Sequence, residues 1–415
     1  MIQAQPISAW PLSAKAIIAR SINTLQRQED SPLPEPIFSA NFLSGALPPG
    51  LTYTNSSTVR TYFGADGLLK TASANEPIFE YDPVTRALLG MRWEMEQRTN
   101  LATNSEGAAA TWTVSNVTDA GTPIAGFSAS LAFGDNSADR TAFKSISFTV
   151  STAYTLSVFV VMDDESAPSL GLSSTTGDFS IVQAGTVILT GAPSVTRISG
   201  PLYRVSAARV ASSTATQTIG IRKYTGQSEK GFRVIGIQVE AAVSASSYIP
   251  TTSAAVTRQP DVLTATSISP WYRQDEGTIV FEGVASTPAT AQRGIYLLSD
   301  GTDGERISAY RASGLNGGVL VVDGGVTQAD ISTLSSIAQF SIFRHALAYK
   351  LNDVAGSVNN GTPVVDASAT MPTITALTLG HGNTAGTQAF MGYARRFSYY
   401  PRRLPDAQLQ GLSRV

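Results

Sequence analysis

From Phe38 onward the apolar residues fall into short runs, bounded by Gly, Ser, Asn, Asp or Pro, in which apolar and polar positions tend to alternate. Ile146, Phe148 and Val150 alternate strictly, while Val234, Ile235, Ile237 and Val239 alternate with one slip. Similar runs lie at 61–71, 145–150, 154–162, 185–191, 233–240, 277–283, 294–300 and 317–325. Each is rich in β-branched and aromatic residues, as strands are. A two-residue period turns one face of a strand to a core and the other to solvent. Many short strands without intervening helical stretches predict a mainly β protein built of antiparallel β-sandwich (jelly-roll) domains, not a parallel α/β core.

The opening differs. Ala14, Ile18, Ile22 and Leu25 are spaced four, four and three apart, one apolar stripe on a helix over about 11–28. Pro11 suits its first turn, Ser8 is placed to cap it, and the prolines of 31–38 end it. A lone short helix is marginal in water, so the stripe needs cover: the chain's own body, sibling chains or a larger assembly. The polar, Pro-bracketed stretch 250–263 reads as a linker, and a second join falls near 97–105. Three regions follow: an attachment region (1–97) and two sandwiches (98–258 and 259–415). The chain closes on a short helical tail, with Asp406 as its cap and Leu409 and Leu412 on its apolar side.

Composition narrows the chemistry. The chain has 415 residues, enough for two or three domains. Only 14% are charged, and 29 basic against 31 acidic residues give a net charge of -2, so no overall field draws in nucleic acid or anionic lipid. Cysteine is absent, which removes disulfides, thiolate metal sites and thiol nucleophiles, and two histidines do not make a multi-histidine metal cage. No apolar run reaches the length of a membrane span, and the N-terminus lacks the pattern of a secretory signal. Export therefore needs another route, such as a virus particle assembled in the cytoplasm.

Specific strings carry a resemblance. Residues 63–90 (FGADGLLKTASANEPIFEYDPVTRALLG), followed by RTNLATNSE at 98–106 and by Trp112, resemble a segment common in phage head-spike and tail-fibre proteins. The stretch 234–261, with its YIPTT string, is similar to the end of the same module. The two ends frame what resembles a carbohydrate-binding-module-like jelly roll. Residues 391–412 (MGYARRFSYYPRRLPDAQLQGL) are similar to the last strand and short helix of concanavalin-like and laminin-G-like domains. RWEMEQRTN at 92–100 departs from the usual pattern in being more polar and richer in methionine. The resemblance implies a spike or fibre subunit on the virion surface, anchored to capsid or tail proteins by its N-terminus. It would form a homo-oligomer, trimer or pentamer, and bind host cell-surface polysaccharide. No enzyme activity and no cofactor are expected. The alternatives are a capsule-degrading depolymerase with an intersubunit active site and a ligand-free capsid decoration protein.

A sugar site on such a sheet uses aromatic faces and nearby polar groups. The candidates are Trp112, Tyr154, Tyr203 and Tyr224, with Arg222, Asp163 and Asp164 for polar contacts. The same rings also suit a sandwich core, and for Trp112 that reading is the stronger. Asp300, Asp303 and Glu305 in DGTDGE are weak calcium candidates, since the string equally makes a plain hairpin turn. His381, between glycines, is expected on an exposed loop; His345, among apolar residues, is expected to be structural. No serine elbow accompanies either. Lys350, Arg395, Arg396, Arg402 and Arg403 form a basic group suited to acidic saccharides, to capsid protein or to a solvated face.

Overall fold

A computed structural model describes residues 34–415 apart from 83, 122, 188–192 and 266. The expected helix over 11–28, with Ala14, Ile18, Ile22 and Leu25, lies outside the described residues. The described chain is mainly β, and every strand-like run named above meets a strand. The slip near Val234 has a physical cause. Gly236 has φ +58° and marks a bulge where the strand Phe232–Glu240 pairs with Ala153–Met162. The extra residue turns Ile237 to the same core as Val234, while Ile235 faces the other way.

Residues 98–258 form two facing antiparallel sheets. One runs in the order Ser194–Ser199, Leu202–Val210, Ala153–Met162, Phe232–Glu240, Leu131–Phe133, Thr118–Asp119. The other runs Thr186–Val187, Ser180–Gln183, Ala215–Lys223, Arg140–Phe148, Thr113–Ser115. Val158, Val160 and Val234 from the first meet Ile146, Ile181 and Ile221 from the second in one core. The chain enters and leaves this unit through an antiparallel ribbon, Arg98–Asn100 against Val256–Arg258.

A second sheet pair encloses a larger core. Its eight-stranded sheet runs Val364–Asp366, Val354–Val358, Ile342–Lys350, Glu276–Ala285, Met391–Tyr400, Leu88–Glu94, Phe79–Tyr81, with Phe38–Asn41 as a further partner of Met391–Tyr400. The facing seven-stranded sheet runs Thr52–Thr54, Val262–Ala265, Ala376–Leu379, Arg293–Ser299, Arg306–Arg311, Gly317–Asp323, Val326–Ile331. Much of the stretch that the sequence assigns to an attachment region is thus woven into the block that follows residue 259. Trp93, fully buried, lies 5.4 Å from Phe281 and 6.1 Å from both Phe42 and Phe390. Alternation in RWEM explains its place: Trp93 and Met95 point into the core, Arg92 and Glu94 away from it.

The stretch 250–263 is a linker only in part: residues 252–255 are exposed, but Arg258 and Asp261 are buried. Arg258 is fully buried, its guanidinium donating to the carbonyls of Glu94, Glu96 and Gln259. Asp261 accepts from Tyr53 Oη (2.5 Å), Asn55 Nδ2 (2.8 Å) and the Glu94 amide (2.8 Å). Inside the stretch, the Arg258 Nη groups and the Asp261 carboxylate thus find hydrogen-bond partners, while Arg258 Nε makes no hydrogen bond and lies 3.5 Å from Glu94. The tail forms a helix, Asp406–Leu412, with Leu409 packed on Ala346, Ala348 and Ala355. Asp406 does not cap it; the N-cap is Pro405, and Asp406 instead pairs with Arg403 at 2.7 Å.

Candidate functional site

The residues singled out by sequence do not gather into one site. Trp112 is buried in the middle core, its Nε1 donating to the Asn104 carbonyl (3.0 Å), with Lys144 Nζ 4.6 Å above its ring. Tyr154 packs in the same core, 4.7 Å from Phe148, and accepts from the Thr149 amide. Neither ring is open to a ligand. Tyr203 is half-buried at the start of Leu202–Val210. At the opposite sheet, Arg222 stacks on Tyr224 (4.3 Å) and pairs with Asp139 (2.5 Å). Asp163 and Asp164 are exposed; Asp164 pairs with Lys230 at 2.8 Å.

Asp300, Asp303 and Glu305 also stay apart. Asp300 accepts from Thr302, Asp303 from Arg306 and the Thr384 amide, and Glu305 from the amides of Gly324 and Thr373. Among the described residues no three His, Cys, Asp or Glu side chains come together as metal ligands do. His381 is buried rather than exposed, and burial lowers its pKa. His345 is buried as expected, held at about 4 by desolvation, with Nε2 3.1 Å from the Gly318 carbonyl.

A cleft of about 740 Å³ lies instead between the two sheet pairs. One wall is the outer face of the six-stranded sheet, carrying Thr155, Ser194, Thr196, Arg204 and Ser206. Arg204 Nη1 donates to the Ser246 carbonyl and Nη2 to Ser157 Oγ, while its guanidinium lies 5.1 Å from the Phe159 ring centroid. The other wall is the outer face of the eight-stranded sheet, where Glu80, Arg92, Glu94 and Tyr393 form a closed network. Arg92 reaches Glu80 at 3.1 Å and Glu94 at 3.4 Å, Tyr393 Oη donates to Glu80 (2.9 Å), and Arg258 adds a second cation 3.5 Å from Glu94. Burial alone would raise the Glu94 pKa, but Arg258, Arg92 and two bonds from Ser247 outweigh it and hold the carboxyl at about 2. The cleft carboxylates are thus neutralised where they stand.

The Ser247 bonds close the back of the cleft. Ser247 donates from its amide (2.7 Å) and hydroxyl (2.6 Å) to Glu94, tying the segment after Glu240 onto the neighbouring sheet pair. Glu240 holds the same segment by accepting from the Ser246 amide and hydroxyl. Asn100 and Ser105 complete the clasp. Asn100 Nδ2 donates to the carbonyls of Ile237 and Ile249, its Oδ1 accepts from the amides of Ala102 and Val239, and Ser105 Oγ sits 2.6 Å from Tyr248 Oη. The RTNLATNS and YIPTT strings are therefore the two halves of one joint.

At the mouth stands Phe340, 66% exposed, with φ +59°. A bulky residue in the left-handed region costs roughly 1 kcal/mol or more. Sequence reasoning missed Phe340 because AQFSIF carries no turn signal. It also missed Arg92 and Glu94, although their alternation with Trp93 and Met95 carried the signal.

No protein-family model matches the sequence, and no curated protein matches it either. Among solved structures, the chain is similar to the Ruminococcus gnavus IT-sialidase carbohydrate-binding module CBM40 (16% identity, 34% of this chain and 83% of that one, TM-score 0.30). It is also similar to the NanB sialidase of Streptococcus pneumoniae (18%, 35% and 25%, 0.30) and to the botulinum neurotoxin type G receptor-binding domain (11%, 36% and 38%, 0.28). Likenesses at this level carry no argument about what the chain binds.

Proposed function

We propose that this chain is a β-structured attachment subunit of a phage or phage-like particle whose inter-sheet cleft binds host cell-surface glycan. In this reading the two sheet pairs are jelly-roll sandwiches, and the residues before 34 anchor the chain to capsid or tail protein within a homo-oligomer. The observation that carries the glycan reading is the cleft itself. The exposed hydroxyls of Ser194 and Thr196, with Ser206 2.7 Å from Ser194, suit sugar hydroxyls, and the exposed Phe340 ring offers a face to pyranose C–H groups.

Binding without cleavage fits the electrostatics. A glycosidase needs one carboxylic acid kept protonated near neutral pH and a second carboxylate opposite it. Glu94 is held at about 2 by two arginines, and Glu80 is occupied by Arg92 and Tyr393. Shallow binding of this kind gains strength from several copies acting together.

A panel of immobilised bacterial surface polysaccharides, probed with wild type and Phe340→Ala, tests the reading. Reversible retention that Phe340→Ala weakens about tenfold or more, with thermal stability unchanged, is expected. Progressive shortening of a retained polysaccharide would show a depolymerase instead. Absence of retention across the panel would leave a ligand-free decoration protein.

A further inference from the structure

On the outer face of the eight-stranded sheet, three guanidinium groups converge on one carboxylate. Glu282, 5% exposed, receives Arg395 Nε on Oε1 (2.8 Å); Oε2 takes Arg344 (Nε and Nη2, 2.7 Å each) and Arg396 Nη1 (3.3 Å). The strand register explains the convergence. Arg344 lies opposite Glu282 on one side, and on the other a bulge in the pairing with Met391–Tyr400 brings both Arg395 and Arg396 alongside it. No second carboxylate lies within 4.0 Å of any of the three among the described residues. The remaining neighbours are neutral acceptors, the Leu89 carbonyl for Arg395 and the Arg414 carbonyl for Arg344. The Glu80–Arg92–Glu94–Arg258 network, reached beyond Tyr393 along the strand of Arg395, is balanced within itself.

The cluster therefore carries three positive charges against one negative, in a chain whose net charge is -2. Like charges this close disfavour one another, and one carboxylate with two oxygens cannot occupy three forks of donors. The surplus faces outward: the Arg396 side chain is 50% exposed and that of Arg344 31%, while that of Arg395 is 17% exposed. Glu282 also fixes the side chains before any ligand arrives, which reduces the ordering cost of binding. Arginine forks match the planar oxygens of carboxylate, sulfate and phosphate groups.

We propose that Arg344, Arg395 and Arg396, oriented by Glu282, form an anion-binding subsite beside the cleft that takes the acidic substituent of a surface saccharide. The saccharide part rests on the glycan reading above; the anion site does not. Arg395 lies two residues from Tyr393 of the cleft wall on the same strand, so one glycan chain lying across the sheet reaches both places.

The test titrates the full chain with D-glucuronate and, separately, with inorganic sulfate, reading the Nε–Hε resonances of arginine by NMR. Glucose serves as the neutral control. Saturable shifts of the Arg344, Arg395 and Arg396 signals with either anion are expected in wild type, with the Arg395 shift weakened at least tenfold in Arg396→Gln and absent in Arg344→Gln/Arg396→Gln. Response to glucuronate assigns a carboxylated sugar; response to sulfate alone assigns a sulfated or phosphorylated one. Shifts that fail to saturate, or that survive in the double variant, overturn the proposal. Because Arg396 is half-exposed, its change leaves the fold intact, and thermal unfolding of the variant checks this. Anion binding without retention on any glycan would sink the glycan reading and spare the subsite; retention that Phe340→Ala abolishes and Arg396→Gln leaves unchanged on acidic glycans would do the reverse.

Discussion

Replacing Glu94 by Gln removes one charge at the point where the two sheet pairs are tied together. The Glu94 carboxyl is buried, faces Arg92 and Arg258, and accepts both Ser247 bonds. Its fall from an ordinary 4.5 to about 2 is worth about 3 kcal/mol at ~1.4 kcal/mol per pKa unit. Removing one partner of a buried ion pair costs about 3–5 kcal/mol by a separate route, so the two scales agree. The folded-state pKa is depressed, so this stabilisation is complete above the unfolded value of about 4.5 and is lost as pH falls through about 2. Urea unfolding of wild type and Glu94→Gln, followed by far-ultraviolet circular dichroism from pH 7 to pH 2, should show a gap of about 3 kcal/mol at neutrality. That gap should close progressively below pH 4.5, because a protonated Glu94 and a glutamine are nearly the same group. A gap that does not vary with pH, or one under about 1 kcal/mol at pH 7, would refute the reasoning.

Three other outcomes follow from packing. Gly236→Ala should lower stability by about 2–4 kcal/mol, measured by urea unfolding, because φ +58° disfavours a Cβ and that atom would stand 2.7 Å from Phe127 Cε1. Trp112→Ala should cost about 3–5 kcal/mol yet leave glycan affinity unchanged at temperatures where the variant is folded, as a core residue does. Residues 98–258, with their own core and adjoining ends, should fold alone, whereas 259–415 should aggregate because it lacks the strands Phe38–Asn41 and Leu88–Glu94 and the rings of Phe42 and Trp93; amide-proton NMR dispersion of each fragment decides.

The β character of this chain was legible because it rests on local alternation. Even the irregularity between Ile235 and Ile237 had a local meaning, since a glycine in a strand often marks a bulge. The sheet membership of residues 38–94 was not legible. The pairing of Met91 with Ala394, or of Tyr53 with Leu263, joins residues hundreds of positions apart, and no two-residue period records its partner. Buried charge misled for the same reason. Arg60, Arg92, Arg258 and Asp261 look like surface residues in a linear reading, and only the fold shows them paired inside. Trp112 lies in the core, the reading its sequence favoured, and Tyr154 packs beside it, whereas Phe340 is exposed by a backbone conformation that sequence does not announce.

In the proposed reading, the same buried polar joint is what would preset the cleft between two separately cored units for a ligand. Two sheet pairs linked by a single flexible strand would move freely, and a ligand bridging them would have to order that motion at its own expense. Here the covalent link is a paired ribbon, Arg98–Asn100 with Val256–Arg258, and beside it Glu94 couples Ser247 of one unit to Arg92 and Arg258. Such a network adds little net stability over well-packed apolar residues, but it accepts one geometry and penalises others, because each displaced partner leaves a buried charge uncompensated. The walls carrying Ser206 and Tyr393 are thereby set before ligand arrives. Weakening the joint should therefore reduce glycan affinity more than removing any one wall hydroxyl does, and Glu94→Gln compared with Ser206→Ala on the same polysaccharide measures that difference.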